Sequence, residues 1–302
     1  MSITPRRGRG KAQASLDLIQ AAYEICKAAN PITVRGIAYK LFARGLIPNM
    51  GKNATSRVSR LLVYAREQDI FPWEWIVDET RGAERVNTWS SPDEIIRAAV
   101  NGYRQDYWQN QPNWVEVWSE KGTVRGVLRP VLDELGVTFN VMHGFGSATV
   151  VKDAAKETQR ADKPLTLLYV GDWDPSGAFM SSVDISRRVD RYGGECHIRR
   201  IALTRQDTES GLPSFPAATK AADPRYKWFV ERFGDRCWEL DAMDPNTLRD
   251  RVRFHIEALI DREAWDHAVK VEAAEVASMH QFHEAWRQSI SRQDAKYSEV
   301  AR

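Results

Sequence analysis

Apolar side chains recur at helical spacing along the first 66 residues of the chain. The period predicts a helix from Ser15 to Ala29 and a second helix that Thr33 caps and Gly45 closes. A third helix is predicted from Asn53 to Arg66, and the aromatic segment from Ile70 to Val77 has the extended character of a wing. Three short helices followed by a strand pair form the helix-turn-helix layout, with the third as recognition helix. The alternative is a plain three-helix cap.

Strands and helices alternate after residue 112. The unbroken apolar run Leu165–Val170 is typical of a buried parallel strand. This alternation favours an α/β fold with a doubly wound, mostly parallel sheet. The other predicted strands are Val115–Ser119, Thr138–Met142 and His197–Leu203, and the predicted helices are Asp93–Tyr107, Thr123–Leu135, a helix that ends near Arg160, Ala178–Arg191 and Asn246–Arg262.

These patterns divide the chain into five predicted segments. They are a basic flexible arm (1–12), a winged-helix domain (13–90), a connector helix (91–112), an α/β domain (113–215) and a helical C-terminal extension (216–302). A length of 302 residues with 43% apolar residues fits two domains with a sizeable core.

The net charge of +2 hides an uneven distribution of charge. Residues 1–66 hold 12 basic and two acidic side chains, whereas the remainder has a balance of −8. This layout is typical of a nucleic-acid-binding head joined to a catalytic or scaffolding body, the alternative being a basic surface without a partner. The predicted contacts to duplex DNA are Lys52, Arg57 and Arg60 of the third helix and Arg6, Arg7 and Arg9 of the arm.

Three cysteines without a C-x-x-C spacing indicate a reducing compartment. The longest stretch without charged side chains, residues 135–151, contains His143 and three glycines, so no membrane span is expected. We therefore expect a cytoplasmic, DNA-associated protein.

Acidic residues follow two predicted strands. Glu120 comes directly after the first strand of the α/β domain, and Asp172 and Asp174 follow the buried run. Ligands bind outside the carboxyl ends of parallel strands, and three carboxylates there can hold Mg²⁺. Two alternatives stay open: Asp174 as the cap of a helix that starts at Pro175, and Glu116 instead of Glu120 as the metal ligand.

The Glu120–Gly122 run and the Asp172–Asp174 pair together resemble the Toprim signature, which occurs in primases, topoisomerases and nucleases. The segment Thr33–Tyr39 resembles the winged-helix motif of the DNA-cleaving A subunit of topoisomerase VI and of the related meiotic double-strand-break protein. The similarity in domain order covers about residues 30–260. The chain departs from the family in its compact length and at Ala38, where a second tyrosine is usual.

In that family an arginine four residues before a tyrosine is required for strand cleavage, a spacing that Arg35 and Tyr39 match. The two side chains are neighbours on a helix face offset from the apolar stripe, so the phenol need not be buried. A guanidinium beside a phenol favours the phenolate and can clamp a phosphate. The alternative is a structural role, in which Tyr39 packs between helices and Arg35 contacts only the DNA backbone.

The resemblance implies that Tyr39 attacks a backbone phosphate and becomes linked to a 5′ end, with Mg²⁺ held by Glu120, Asp172 and Asp174. It also implies a homodimer and a separate ATPase subunit, since the chain has no G-x-x-x-x-G-K-[ST] run. The first alternative is a hydrolytic Toprim nuclease with a winged-helix head, as a subunit of a defence or chromosome-maintenance complex. The second is a DNA-binding scaffold without activity. Asp241, after another strand-like stretch, is a candidate for supporting the acidic site.

Overall fold

The structure is a computed structural model that describes residues 13–77, 88–142, 148–161 and 163–300, with side chains up to residue 290. The predicted DNA contacts Arg6, Arg7 and Arg9 lie outside the described residues. The described residues cluster into two compact units: Met1–Arg81 with Asn113–Leu259, and Gly82–Pro112 with Ile260–Arg302.

Helices and short strands alternate along the described part of the chain. In chain order the elements are α1 (Gln13–Ala29), β1 (Ile32–Thr33), α2 (Val34–Ala43), α3 (Lys52–Glu67), β2 (Ile76–Val77), α4 (Pro92–Gly102), β3 (Trp114–Ser119), α5 (Thr123–Leu135), β4 (Thr138–Val141), α6 (Ala148–Ala161), β5 (Leu165–Val170), α7 (Pro175–Phe179), α8 (Ile185–Arg191), β6 (Cys196–Ala202), α9 (Arg205–Thr208), β7 (Ser214–Pro216), α10 (Tyr226–Phe233), β8 (Arg236–Trp238), α11 (Pro245–Glu257) and α12 (Arg262–Val300). None of these helices is long and apolar enough to cross a membrane.

The first three helices form one hydrophobic core at the N-terminal end of the first unit. Helix α2 starts where predicted, because the Thr33 side chain accepts a hydrogen bond from the Gly36 amide at 2.9 Å. The core is lined by Ile19, Ile25, Ile37, Leu41, Leu62 and Phe71.

The segment after α3 differs from the extended wing that the sequence predicts over residues 70–77. Trp73–Trp75 forms a 3₁₀ turn, in which the Trp75 amide donates to the Pro72 carbonyl at 3.2 Å. Only Ile76 and Val77 are extended, and they pair in parallel with β1. The fixed φ of Pro72 favours a tight turn at this point instead of a continuous strand.

A four-stranded parallel sheet organises the rest of the first unit, and its spatial order is β4-β3-β5-β6. The α/β prediction is confirmed at this level. Trp118 and Tyr169 pack with α6 and α8 on one face, while α5 and α11 contact one another. Because the chain moves outward in opposite directions from β3 and β5, a topological switch point lies between these strands.

Several predicted boundaries need correction. The helix predicted to reach Tyr107 ends at Gly102, since Tyr103 is extended and the Asp106 carboxylate accepts from the Trp108 amide in a following turn. The helix predicted from Ala178 begins at Pro175. The antiparallel pair of β7 and β8 was not predicted as a pair, because each strand has only three residues.

The second unit contains α4 and α12, which pack against each other. Asp93, in the first turn of α4, interacts with His283 at 2.8 Å and with Arg287 at 3.2 Å. These contacts fix the register of the two helices.

One arginine joins α11 to the loop between α1 and α2. The Arg249 guanidinium donates to the carbonyls of Ala29, Asn30, Pro31 and Val127 at 3.1–3.3 Å. One charged donor serves all four carbonyls, so removing the Arg249 side chain removes a hydrogen bond from each of them.

Arg249→Ala is expected to lower the free energy of unfolding by about 2–3 kcal/mol, because buried carbonyls lose charge-assisted hydrogen bonds. The matched control is Arg253→Ala, one turn along the same helix, where the exposed ion pair with Glu134 contributes about 0.5 kcal/mol. Urea unfolding of both variants measures the difference. Equal losses in the two variants would contradict this role for Arg249.

Candidate functional site

The acidic residues predicted from the sequence lie at the carboxyl ends of β3 and β5, on either side of the switch point. Gly177 shows how close they are. A Cβ atom there would lie 2.4 Å from the Asp172 carbonyl oxygen and 3.3 Å from Glu120 Oε1. The absence of a side chain at this position lets the first turn of α7 approach both acidic residues.

A buried arginine fixes the backbone of this acidic loop. The Arg200 guanidinium donates to the Gly171 carbonyl at 3.0 Å, to the Gly177 carbonyl at 2.8 Å and also to the Asp172 carbonyl. It stacks on the rings of Tyr169 and Trp173, 5.1 Å from each centroid. Arg200 therefore fixes the backbone of the acidic loop through hydrogen bonds to its carbonyls and contacts with two aromatic rings.

Lys121 joins two buried carboxylates. Its ammonium lies 2.8 Å from Asp172 Oδ1 and 2.9 Å from Asp241 Oδ2, and Thr33 donates to the other oxygen of Asp241 at 2.7 Å. Although burial opposes the charged forms, the ion pair raises the pKa of Lys121 and lowers that of Asp241. The supporting role that the sequence suggested for Asp241 has a geometric basis in these contacts.

The segment 238–241 docks on the acidic loop. Trp173 and Trp238 exchange two backbone hydrogen bonds of 2.9 and 3.0 Å, and the Leu240 amide donates to Asp172 Oδ1 at 2.8 Å. The neighbouring Glu239 forms a two-pronged ion pair with Arg35. This short segment therefore contacts both the acidic loop and the α2 helix.

Asp174 has the capping role that the sequence left open. Its Oδ1 accepts from the Gly177 amide at 2.8 Å, with Pro175 as the first helical residue. Its Oδ2 lies 3.2 Å from the Lys220 ammonium. The two aspartates of the pair therefore contact different lysines.

The surroundings of Glu120 raise its pKa. Burial and the nearby Asp172 and Asp174 carboxylates raise its pKa to about 7, although Lys121 and Arg200 oppose the shift. The charges of Glu120, Asp172 and Asp174 act on one another at this end of the sheet, and carboxylates are the ligands that Mg²⁺ prefers.

No three acidic, histidine or cysteine side chains in the described part of the chain already converge in a metal-binding group. Glu116, the alternative ligand, is buried and accepts from Trp118 at 2.6 Å and from Asn140 at 2.7 Å. These donors occupy one of its carboxylate oxygens, in a setting among aromatic and amide side chains. Beyond the effect of burial, Asp172 and Asp174 raise the pKa of Glu120, whereas the carboxylate that raises the pKa of Glu116 is Glu157, so Glu120 is the glutamate beside the acidic pair.

Tyr39 and Arg35 lie at a cleft with a volume of about 530 Å³. Tyr39 is only 6% exposed, so its offset from the apolar stripe of α2 does not keep it out of the protein interior. Burial and Glu239 raise the pKa of Tyr39 to about 12, and Arg35 lowers it by less. Burial is the larger cause, and the Glu239 carboxylate, which comes from a distant part of the chain, adds to it. Other residues that line the cleft are Phe42, Met50, Gly51, Phe215, Thr219 and Lys220.

The predicted DNA contacts of the third helix are all solvent-exposed. Lys52, Arg57 and Arg60 lie on the outer face of α3, and Gly51, its N-cap, lines the Tyr39 cleft. The basic helix therefore begins beside the cleft.

Sequence reasoning gave no role to four residues of the site: Lys121, Arg200, Lys220 and Glu239. A signal existed for Glu239, because it precedes Asp241 at the same i, i+2 spacing as the Asp172 and Asp174 pair. Nothing in the local sequence singles out Arg200 or Lys220.

No family model matches the chain, and neither does any curated protein. The chemistry of the site is therefore inferred from its own side chains and their distances.

Glu120→Gln is expected to change how stability depends on pH in protein treated with EDTA. A carboxyl with a folded pKa of about 7 and an unfolded value of 4.5 stabilises the fold below pH 4.5, and this contribution is lost as the pH rises through 7. The wild type should therefore lose about 2–3 kcal/mol relative to the variant between pH 5 and pH 8. Chemical denaturation at both pH values measures this. A stability difference that does not vary with pH would contradict the shifted pKa.

Proposed function

We propose that this chain is a Mg²⁺-dependent DNA strand-cleaving transesterase, with Tyr39 as nucleophile, of the kind represented by the topoisomerase VI A subunit. The observation that carries the proposal is the segment 238–241, since Glu239 contacts Arg35 and Leu240 contacts Asp172. The same four-residue segment therefore contacts the arginine beside the candidate nucleophile and an aspartate of the acidic cluster. Such closeness is what attack on a phosphate held beside the acids requires.

The basic helix α3 supports duplex DNA as the substrate. Its exposed Lys52, Arg57 and Arg60 lie on the helix that the sequence predicts to enter the major groove. Because α3 starts at the cleft that Tyr39 lines, a duplex bound along it passes beside that cleft. The basic arm with Arg6, Arg7 and Arg9 adds affinity for phosphates in this proposal.

In the proposed reaction, the Tyr39 oxygen forms a bond to a backbone phosphorus and the bond from phosphorus to the 3′ oxygen breaks. Glu239 is the group beside the phenol that can accept its proton, and the leaving 3′ oxygen takes a proton to become a hydroxyl. Arg35 exchanges its ion pair with Glu239 for the phosphate as the proton moves. The product is a 5′-phosphotyrosyl linkage.

The acidic cluster holds the cofactor in this proposal. Glu120, Asp172 and Asp174 are the carboxylates that would bind Mg²⁺, and Lys121 keeps Asp172 oriented from the opposite side. When bound, Mg²⁺ supplies positive charge to the phosphate oxygens as negative charge develops on them. Arg200 and Gly177 keep the loop in the required shape.

The finer fold and the partners belong to the same proposal. The three N-terminal helices support a helix-turn-helix head of the winged-helix kind, and the order β4-β3-β5-β6 supports a Toprim domain. A homodimer and a separate ATPase subunit for strand passage complete the proposal, together with a cytoplasmic, DNA-associated location.

A specific observation favours a second candidate, a hydrolytic nuclease with the same DNA-binding head. Burial and Glu239 raise the pKa of Tyr39 to about 12, and Glu239 also binds the arginine that would activate it. In that case a water molecule at the acidic cluster attacks the phosphate, and Tyr39 only packs between α2 and the segment after β8.

Tyr39→Phe separates the two candidates. The change removes one hydroxyl and little volume, so DNA binding should stay within about twofold of wild type. A transesterase should lose cleavage and the covalent protein–DNA adduct, measured on a radiolabelled duplex in Mg²⁺ after quenching with denaturant. The control is Tyr23→Phe, in the aromatic cluster with Phe71 and Trp75, which should cleave normally. Robust cleavage by Tyr39→Phe would favour the hydrolytic nuclease.

Replacing Lys52, Arg57 and Arg60 together by alanine should weaken duplex binding regardless of sequence. Three lost phosphate contacts should make the slope of log K against log salt about 3 less steep. Fluorescence anisotropy over a range of salt concentrations measures the slope. The matched control replaces Lys152, Lys156 and Arg160, which are exposed on α6, by alanine. This control should leave the slope unchanged. Equal changes in the two triple variants would remove α3 from the DNA interface.

A further inference from the structure

Lys220 lies between the two parts of the candidate site. Its ammonium is 3.2 Å from Asp174 Oδ2, and the same side chain lines the cleft of Tyr39 and Arg35. It ends a 3₁₀ turn, Ala217–Lys220, that follows β7. Its side chain therefore borders both the acidic cluster and the cleft.

The two lysines of the acidic cluster differ in how firmly they are held. Lys121 is 22% exposed and bridges Asp172 and Asp241. Lys220 is 44% exposed, and among the described residues Asp174 is its one ion-pair partner. Because two buried carboxylates hold Lys121 whereas one holds the half-exposed Lys220, a cation that binds Asp174 displaces Lys220 more readily than Lys121.

Asp174 has one oxygen to offer a metal ion. Oδ1 accepts the capping hydrogen bond from Gly177, and Oδ2 faces the Lys220 ammonium. A divalent cation that uses Oδ2 takes the place of this ammonium, since both cannot contact the same oxygen without strong repulsion. Metal binding and the position of Lys220 are therefore linked.

Among the described residues that line this cleft, the cations are Arg35 and Lys220 itself. Glu239 holds the Arg35 guanidinium with both oxygens. An ammonium that swings in from Asp174 would be free to bind a phosphate oxygen beside Tyr39.

We propose that Lys220 is a movable counterion: Mg²⁺ displaces it from Asp174, and the released ammonium binds the substrate phosphate in the Tyr39 cleft. This inference rests on the proposed function and deepens it by setting an order, with the metal ion before the phosphate. Lys220 then acts as a phosphate-binding residue of the cleavage site. No covalent step is added.

The proposal predicts effects of opposite sign in one variant. Lys220→Met removes the competitor of the metal, so Mg²⁺ should bind about fivefold more tightly. The same variant lacks the phosphate-binding ammonium, so cleavage at saturating Mg²⁺ should fall by about tenfold or more. A side chain with only a structural role would weaken both.

Isothermal titration of the full chain with MgCl₂ and, separately, MnCl₂ measures metal affinity without any need for activity. Lys220→Arg keeps the positive charge and should stay near the wild-type affinity. The matched control is Lys227→Met, an exposed lysine on α10, which should change neither affinity nor cleavage. Circular dichroism and thermal melting compare the folded state of each variant.

The outcomes separate the two levels of the proposal. Tighter Mg²⁺ binding together with slower cleavage in Lys220→Met supports the counterion. Wild-type metal affinity in Lys220→Met overturns the counterion and leaves the proposed function in place. A wild type that binds neither cation overturns the counterion and the metal site of the proposed function together.

Discussion

The Lys121 ammonium lies between two buried carboxylates, Asp172 at 2.8 Å and Asp241 at 2.9 Å. Asp172 belongs to the loop after β5 and Asp241 to the segment after β8, while Lys121 follows β3. Thr33 donates to the same Asp241 carboxylate and caps α2. The network around this one cation therefore connects four parts of the first unit at the switch point of the sheet: the turn after β3, the loop after β5, the segment after β8 and the start of α2. Since removing one partner of such a network strands a buried charge, these parts depend on one another.

This constraint gives the site its electrostatic character. Three carboxylates at the carboxyl ends of β3 and β5 face three cations: the buried Arg200, the doubly held Lys121 and the half-exposed Lys220. The pKa of Glu120 is nevertheless raised to about 7. The phenol of Tyr39 is buried beside the ion pair of Arg35 and Glu239. Both halves therefore contain internal ion pairs, which the proposed substrate and metal ion would have to replace.

The sequence predicts the sheet and its acidic edge well, and the reasons are local. The run Leu165–Val170 is a strand with the predicted bounds, and the parallel-sheet rule brings Glu120 near Asp172 because β3 and β5 are neighbours. The contacts that tune the site are not local. Arg35 and Glu239 are 204 residues apart in the chain, so the burial and the raised pKa of Tyr39 could not be read from α2 alone.

The central claim, a covalent bond between Tyr39 and DNA, is tested most directly by mass spectrometry of the reaction product. A duplex is cleaved in Mg²⁺, quenched with denaturant and digested with nuclease and trypsin. Trypsin cuts after Arg35 and Lys40, so Tyr39 lies in the peptide Gly36–Lys40. The account predicts this peptide with a nucleotide phosphate attached to the tyrosine. Cleaved DNA with free 5′ ends and an unmodified peptide would contradict it.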